Sequence, residues 1–293
     1  MSAPSPSSIP FAVRTAKAAD APACGVICFD AFKRINEAHG FPFDLPSPEI
    51  AVNMLTTMFT NPGFWCVVAE ADGRILGSNC MDERALVTGI GPITIDPSTQ
   101  NRGVGRALME AALDRARVRG VAGVRLVQAA FHNRSLALYS SLGFEVREPL
   151  SCLQGRSSKR EIPGCTVRAA TAADEDACNE LARRVHGYDR GRDLSESIYQ
   201  GSAVVVERSG RLTGYSSQLG FFGHATAETN IDLQALIASA ESFSGPGILV
   251  PSRNSAIMQW CLANGLRIVQ PMTLMSTGLY SEPSGAWLPS VLF

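Results

Sequence analysis

Apolar positions alternate with polar ones in short runs that predict strands, and they recur at helical spacing in several segments between those runs. In the first half of the chain, the runs predict strands at about 11–14, 65–70, 75–80, 86–95 and 124–129, and a last strand from Phe144. Helices are predicted from Asp20, from Gly103 to about Arg119, and from Asn133 to Leu142. Hairpin strands that are later separated by helices indicate an α/β fold with a mixed sheet.

The chain repeats itself. VRTAKAADAPAC from Val13 returns as VRAATAADEDAC from Val167, and VVAEADGRILG from Val67 returns as VVVERSGRLTG from Val204. The shifts are 154 and 137 residues, so the second copy is 17 residues shorter between the two matches. Its early strands are predicted at 166–168, 203–207 and 212–218, with a helix from Asp174. We therefore predict a disordered tail (1–10), a first domain (11–150), a linker (151–164) and a second domain (165–293).

Length and composition fit two globular domains. The 293 residues are 45% hydrophobic and 18% charged, and 26 basic residues balance 27 acidic ones. This balance argues against nucleic acid or an anionic membrane as a partner. No apolar run is long enough for a membrane helix, and the first ten residues lack the features of a secretory signal. Eight scattered cysteines without metal-ligand spacing indicate reduced thiols, no metal and a cytoplasmic protein.

A glycine-rich stretch, QNRGVGRAL, joins a predicted strand to the helix that begins near Gly103. Two glycines let the backbone turn sharply, and the free amides of a first helical turn attract anions. Between Asp96 and Arg125, six arginines face three acids in an otherwise neutral chain. These features favour a phosphate site, but a plain tight turn with solvated arginines explains the glycines equally well. A dinucleotide site fits poorly, since Leu108 stands where a third glycine is needed.

Two motifs in order resemble the GCN5-related N-acetyltransferase (GNAT) family. The acetyl-CoA motif Q/R-x-x-G-x-G/A is matched by Gln100, Gly103 and Gly105. NRSLALYSSLGFE then supplies the family's Asn, Tyr and Gly-Phe at Asn133, Tyr139 and 143–144. The resemblance covers residues 13 to about 147, and the second copy resembles the same fold in outline only.

The resemblance implies an acetyl-CoA-dependent N-acetyltransferase built from two tandem GNAT-like domains. The amides of 102–106 would hold the pyrophosphate, and backbone groups of Ile93 and Ile95 would pair with the pantetheine arm. An amide at or near Ile93 would stabilise the oxyanion, while the isoleucine side chains are also candidates for core packing. Gly91-Pro92 is consistent with a bulge that opens the sheet. The implied cofactor-binding residues are Ile93, Thr94, Ile95, Gln100, Asn101, Arg102, Gly103, Val104, Gly105, Arg106, Asn133, Ser135 and Tyr139.

Candidate catalytic residues follow from the same resemblance. Tyr139 matches the general acid that protonates the departing thiolate, although a tyrosine on a short helix is also a common core residue. Asn133 is predicted to cap that helix and to contact the pantetheine. Glu83 is a candidate base. The other candidates are Asp82, Glu37 and His39, and deprotonation through water would need none of them.

The acceptor is predicted to be the amine of a small molecule, since no charged groove suggests a protein tail. The 17 extra residues fall in a segment rich in aromatics and prolines, which would form an acceptor wall or a lid on the core. Its nearest candidates are Asn36, His39, Phe41 and Phe43. A sensor that binds acyl-CoA without turnover is the alternative, and a nucleotide site would bind ATP or NAD as well as CoA.

The second copy lacks the acetyl-CoA motif. Residues 216–242 contain no arginine, and Glu228, Asp232 and Glu241 make the segment negative. Trp260-Cys261 stands where the tyrosine is expected, and Leu266 replaces the phenylalanine. We predict that this copy keeps the fold without binding CoA, and that it closes the acceptor pocket or forms a homodimer surface.

Overall fold

The computed structural model describes residues 10–156 and 159–292, so the predicted N-terminal tail lies almost wholly outside the described residues. The described chain divides into two compact units. The first contains residues up to 83 together with 89–121, and the second contains 84–88 and the chain from Ala122 onward.

The first unit contains three helices and an antiparallel run of strands in the order β1-β2-β3-β4. Its elements are β1 (Ala12–Thr15), α1 (Ala21–His39), α2 (Pro48–Thr60), β2 (Phe64–Ala71), β3 (Arg74–Asp82), β4 (Val87–Ile95, whose first two residues fall in the second unit) and α3 (Val104–Arg119). Helix α2 was not predicted. It begins with Pro48 after Ser47, whose hydroxyl accepts the Ile50 N–H. Proline suits the first turn because its missing N–H would have no partner there.

The second unit carries the rest of the first copy and the whole second copy. Its elements are β5 (Gly123–Ala129), α4 (Asn133–Ser141), β6 (Glu145–Gln154), β7 (Cys165–Ala169), α5 (Glu175–His186), α6 (Arg192–Tyr199), β8 (Val204–Arg208), β9 (Arg211–Ser216), β10 (Ala225–Ala227), α7 (Asn230–Ser239), β11 (Ile248–Pro251), α8 (Ser255–Ala263), β12 (Arg267–Gly278) and β13 (Ala286–Leu288). These strands pair in two antiparallel runs, β5-β12-β6-β11 and β13-β10-β9-β8-β7. Helices interspersed with strands confirm the α/β class.

The two copies exchange their last strands within the second unit. Strand β12, from the second copy, lies between β5 and β6 of the first, and β6 pairs on its other side with β11. The central pair is close to symmetric, with Leu150 opposite Met272. The segment predicted as a linker therefore starts inside β6, which continues to Gln154. The two compact units do not coincide with the two sequence copies, because the second unit contains part of the first copy as well as the whole second copy. The predicted division into domains stays a prediction.

The same ion pairs fasten the start of each copy. Arg14 binds Asp20 and Glu70 at N···O distances of 2.7 and 2.6 Å, and Arg168 binds Asp174 and Glu207 at the same two distances. Each aspartate also accepts the backbone N–H three residues before it, so it closes a turn ahead of the helix. The two copies of the predicted repeat thus have equivalent ion pairs at these positions. The carboxylates close this preceding turn, and neither of them caps the α-helix that follows.

Candidate functional site

The glycine-rich loop leads from β4 into α3. Gly103 is the N-cap of α3 with φ of 85°, and Asn101 has φ of 68°. A Cβ on Gly103 would meet no atom within 4 Å, so the left-handed backbone, and not crowding, favours glycine here. No side chain caps the helix, and its first internal bond runs from Ala107 N–H to Gly103 O. The amides of the preceding residues form the kind of terminus that binds anions.

The six nearby arginines contribute less positive charge to this loop than the sequence suggested. Four of them, Arg106, Arg115, Arg117 and Arg119, pair with carboxylates of the first unit. Arg125 is buried and belongs to the second unit. Arg102 forms no salt bridge among the residues that the structure describes. The predicted binding of an anion at this loop would therefore depend mainly on backbone amides.

Strand β4 directs alternate backbone groups to opposite sides. The Asp96 N–H donates to Leu76 O at 2.8 Å, and Thr94 lies opposite Ser78. In an antiparallel pair this alternation turns the N–H and C=O groups of Ile93 and Ile95 away from β3. Both isoleucine side chains pack on an apolar cluster that includes residues of α3. The core-packing interpretation is therefore confirmed, and the predicted pairing of these backbone groups with pantetheine stays a prediction.

A bulge interrupts β4 where the sequence predicted one. Asn79 pairs with Ile93 and Met81 with Ile90, so a single residue of β3 faces Gly91-Pro92. Where two residues of one strand lie opposite one residue of its partner, the strand with the extra residue bends and the hydrogen-bond ladder is interrupted. The bulge is thus confirmed, immediately before the strand's proposed contact with pantetheine.

Tyr139 is buried on α4. Its ring meets Phe144 edge-on at 6.2 Å between centroids. Burial raises its pKa above that of an ordinary tyrosine, so the phenol stays protonated at neutral pH. A neutral phenol is the form that can donate a proton. Its burial against Phe144 agrees with the core interpretation, and its role as a general acid stays a prediction.

The prediction that Asn133 caps α4 is wrong. His132 holds the N-cap position, Asn133 is the first helical residue, and no side-chain cap bond forms. His132 reaches that position because its N–H bonds back to Ala129 O at 2.9 Å, which closes the turn one residue earlier than expected. The Asn133 side chain is exposed. By contrast, Asn254 caps the corresponding helix α8 by accepting the Ile257 N–H.

Ser135 lies in the first turn of α4 and is partly buried. Its hydroxyl lies 3.0 Å from Gln128 Oε1 and 2.9 Å from His132 O. These contacts orient the side chain within the second unit. Its predicted contact with the cofactor stays a prediction.

Glu83 is held by two arginines of α3. Arg115 Nε and Arg119 Nη1 each lie 2.8 Å from its carboxylate, whose side chain is 7% exposed. These charge-assisted hydrogen bonds occupy both carboxylate oxygens. This arrangement weighs against Glu83 as a base and favours a structural role. Its catalytic role stays a prediction.

The predicted acceptor residues differ greatly in exposure. Asn36 on α1 is 1% exposed, and neither its side-chain oxygen nor its nitrogen has a hydrogen-bond partner among the described residues. His39 is exposed and lies 2.9 Å from Ile35 O through Nδ1. Phe41 is half-buried, and Phe43 is 45% exposed. Of the four residues, only Asn36 has the buried, unsatisfied polar atoms that a ligand would complete.

A buried ionic cluster in the second unit was not predicted. Asp193 on α6 binds Arg84 at 3.0 Å and Arg190 at 3.1 Å, and its carboxylate lies 3.2 Å from His224 Nδ1. Burial lowers the pKa of His224 to about 4, and the positive charge of Arg190 adds to this effect. Arg84 and His224 are far in sequence from Arg190 and Asp193, so no local signal in the chain could have grouped the four residues.

The described residues contain no group of three or more metal-ligating side chains. All eight cysteines are free thiols, and seven of them are buried. Burial raises the pKa of Cys24 and Cys28 to about 12, so neither is a reactive thiolate at neutral pH. No helix in the described part of the chain has both the length and the apolar character needed to cross a membrane.

The chain is similar to acetyltransferases in both sequence and fold. Residues 31–144 match the model of the acetyltransferase (GNAT) family. A putative acetyltransferase from Pyrococcus horikoshii superposes with a TM-score of 0.69 at 18% identity, covering 94% of this chain and 91% of that one. A tandem GNAT protein from the clavulanic acid biosynthesis pathway gives 0.55 at 13% identity, covering 92% and 98%. The fold is therefore that of tandem GNAT acetyltransferases.

Proteins with similar sequences identify the family. A ribosomal protein bS18-alanine N-acetyltransferase from Salmonella typhimurium is 44% identical over 113 residues, which are 36% of this chain and 67% of that protein. A mycothiol acetyltransferase from Beutenbergia cavernae is 39% identical over 89 residues. The match spans only 30% of the chain and 30% of that relative. The protein belongs to the GNAT family.

Proposed function

We propose that this protein transfers an acetyl group from acetyl-CoA to the amine of a small molecule. The observation that carries the proposal is the uncapped start of α3 at Gly103, together with the backbone groups of Ile93 and Ile95 that turn away from β3. Amides at a helix terminus suit a pyrophosphate, and an extended strand suits a pantetheine amide. Family membership supports the same cosubstrate.

Three residues have proposed roles in the chemistry. The amide of Ile93 stabilises the oxyanion of the tetrahedral intermediate. Tyr139, whose phenol burial keeps protonated, donates its proton to the leaving CoA thiolate. Asn133 contacts the pantetheine with a side chain that no cap bond occupies. Water carries the amine proton away, because Glu83 is held by two arginines.

Asn36 is proposed to bind the acceptor. A buried amide without partners costs about 1–3 kcal/mol, and a hydrogen-bonding substrate would recover that cost. Among the relatives, one is named for mycothiol and another for an alanine of a ribosomal protein, so small molecules and protein termini are both worth testing. The near-neutral charge of the chain favours a small molecule.

The deciding experiment measures thiol release from acetyl-CoA by the full-length protein. A panel of small primary amines is compared with a peptide that begins with alanine, and acetyl-CoA binding is measured in parallel. We expect release with at least one small amine. Binding without release from any acceptor would support the sensor, and equal affinity for ATP and CoA would overturn the acetyl-CoA site.

A further inference from the structure

The second copy contains a counterpart of β4 in β10. The matched hairpins place Gly77 and Gly214 at equivalent positions, and the registers then align Ile93 with Ala225 and Ile95 with Ala227. The hydrogen bonds agree. The Asp96 N–H donates to Leu76 O at 2.8 Å, and the Glu228 N–H donates to Thr213 O at the same distance.

Because the pairings are equivalent, β10 presents its backbone as β4 does. Thr226 bonds toward β9, so the N–H and C=O groups of Ala225 and Ala227 turn to the opposite side. On that side lies β13. Leu288 pairs with Ala225, and Ala286 pairs with Ala227, in antiparallel register.

We propose that β13 occupies, in the second copy, the strand edge on which the first copy binds the pantetheine arm. The chain thereby fills its own second acyl-CoA groove. The inference rests on the proposed function for the identity of what binds β4, and on the pairing of β13 for what blocks β10.

Strand β13 is buried in the second unit and packs on both of its faces. Ala286 and Leu288 pack into the core cluster that contains β10 and α7, while Trp287 on the opposite face packs into a second cluster. All three residues are less than 10% exposed. Backbone bonds fix both ends, from Ser284 N–H to Val185 O at 2.9 Å and from Val291 N–H to Phe221 O at 2.7 Å.

The position that corresponds to the pyrophosphate is filled as well. Helix α7 begins with a capping box, in which the Thr229 hydroxyl accepts the Asp232 N–H and the Asp232 carboxylate accepts the Thr229 N–H. Arg208 and the Thr213 hydroxyl also bind this carboxylate, at 2.8 and 2.7 Å. A carboxylate therefore stands where the first copy leaves its helix terminus uncapped. A phosphate there would meet both an occupied terminus and a negative charge.

Amide hydrogen exchange on the full-length protein, with and without acetyl-CoA, tests the inference. We expect the Ala225 and Ala227 amides to be protected in the free protein and unchanged by acetyl-CoA, while those of Ile93 and Ile95 gain protection on binding. Fast exchange at Ala225 and Ala227, or further protection there on adding acetyl-CoA, would overturn the role of β13. If only the isoleucine amides fail to respond, the proposed function fails and the pairing of β13 stands.

A variant pair isolates the backbone contact. Leu288→Pro removes an N–H from the β13 ladder, whereas Leu288→Val keeps it and changes the side chain only slightly. We expect at least tenfold faster exchange at Ala225 in Leu288→Pro and no change in Leu288→Val. Equal protection in both variants would count against a ladder bond from β13. Should Leu288→Pro fail to fold, the wild-type measurement still decides.

Discussion

The two strand–loop–helix connections of this chain start from equivalent strands and end differently. From β4 to α3 the chain takes the eight residues 96–103, with two left-handed positions and no side-chain cap. From β10 to α7 it takes only residues 228–229 and closes the helix with Thr229 and Asp232. A long loop keeps the helical amides available for a ligand, and a short loop satisfies them internally. The difference supports the proposal that the first copy binds acetyl-CoA and the second keeps only the fold.

The largest expected effect concerns the buried seventh position of the short helix, which is Tyr139 in α4 and Cys261 in α8. We expect Tyr139→Phe to lower kcat about 100-fold, since the general acid is lost, with acetyl-CoA affinity unchanged. Steady-state kinetics and calorimetry measure the two quantities. Tyr199→Phe, at a tyrosine that is 93% exposed, is the matched control. Unchanged turnover in Tyr139→Phe would remove this residue from the mechanism.

A pH profile sharpens the same point. The pKa of Tyr139 is raised by burial, so its protonated form persists above the usual pKa of tyrosine, about 10. Up to about pH 10, we therefore expect no loss of kcat from ionisation of this residue. The measurement is kcat against pH, with the fold monitored by circular dichroism. A fall of kcat centred well below that pH and absent in Tyr139→Phe would show that the phenol ionises earlier than expected.

Gly103→Ala tests the loop directly. A left-handed alanine costs about 1–2 kcal/mol, so we expect the loop to shift and the Kd for acetyl-CoA to rise about tenfold. Gly120→Ala is a close control, because Gly120 ends the same helix with φ of 64° and also has open space around its Cβ. Both variants should lose similar stability. Equal loss of acetyl-CoA affinity in the two would mean that the effect is general and does not arise at the loop.

Asn36→Leu should affect stability and function in opposite directions. Removing a buried amide without partners is expected to raise the free energy of unfolding by about 1 kcal/mol, and loss of the acceptor contact is expected to raise KM for the amine several-fold. Thermal melts and steady-state kinetics measure the two. Asn53→Leu, at an exposed position of α2, should change neither. A large loss of stability in Asn36→Leu would show that the amide is satisfied inside the protein.

The smallest effect is expected from Thr229→Ala. Loss of the cap on α7 should cost about 1 kcal/mol of unfolding free energy, with no change in the affinity or stoichiometry of acetyl-CoA. Denaturant melts and calorimetry measure these quantities, and Thr56→Ala on the exposed face of α2 is the control. A second binding event in Thr229→Ala would show that the capping box alone had blocked the second copy.

Most of the fold was predictable because periodicity and turn residues are local signals. Helix α3 was placed within one residue, and β4 with its bulge was placed by Val-Thr-Gly-Ile-Gly-Pro and the isoleucines that follow. The Asn133 cap failed because a single hydrogen bond from His132 shifts the helix start by one residue. The exchange of β6 with β12 left no trace in the sequence, since a strand's pattern shows which face is buried and not which strand lies beside it.

The site was predictable where a sequence motif marks it, as at Gln100, Gly103 and Gly105. The local charge of the site was less predictable. The arginine excess came from residues whose carboxylate partners lie elsewhere in the sequence, such as Glu83 with Arg115 and Arg119. Counting charges within a window cannot detect such pairs. The sequence also gave no reason to notice β13, because three residues near the end of a chain show no clear periodicity.

The strand exchange also constrains the order in which the molecule can assemble during synthesis. Strand β5 ends at Ala129, but its partner β12 begins only at Arg267. A growing chain emerges from its N-terminal end, so β5 and β6 lack the strand between them until the second copy has been synthesised as far as β12. Pairings so distant in sequence slow folding, and they leave strand edges open to other chains in the meantime. The sheet of the first copy is therefore completed only after synthesis of the second copy has reached β12.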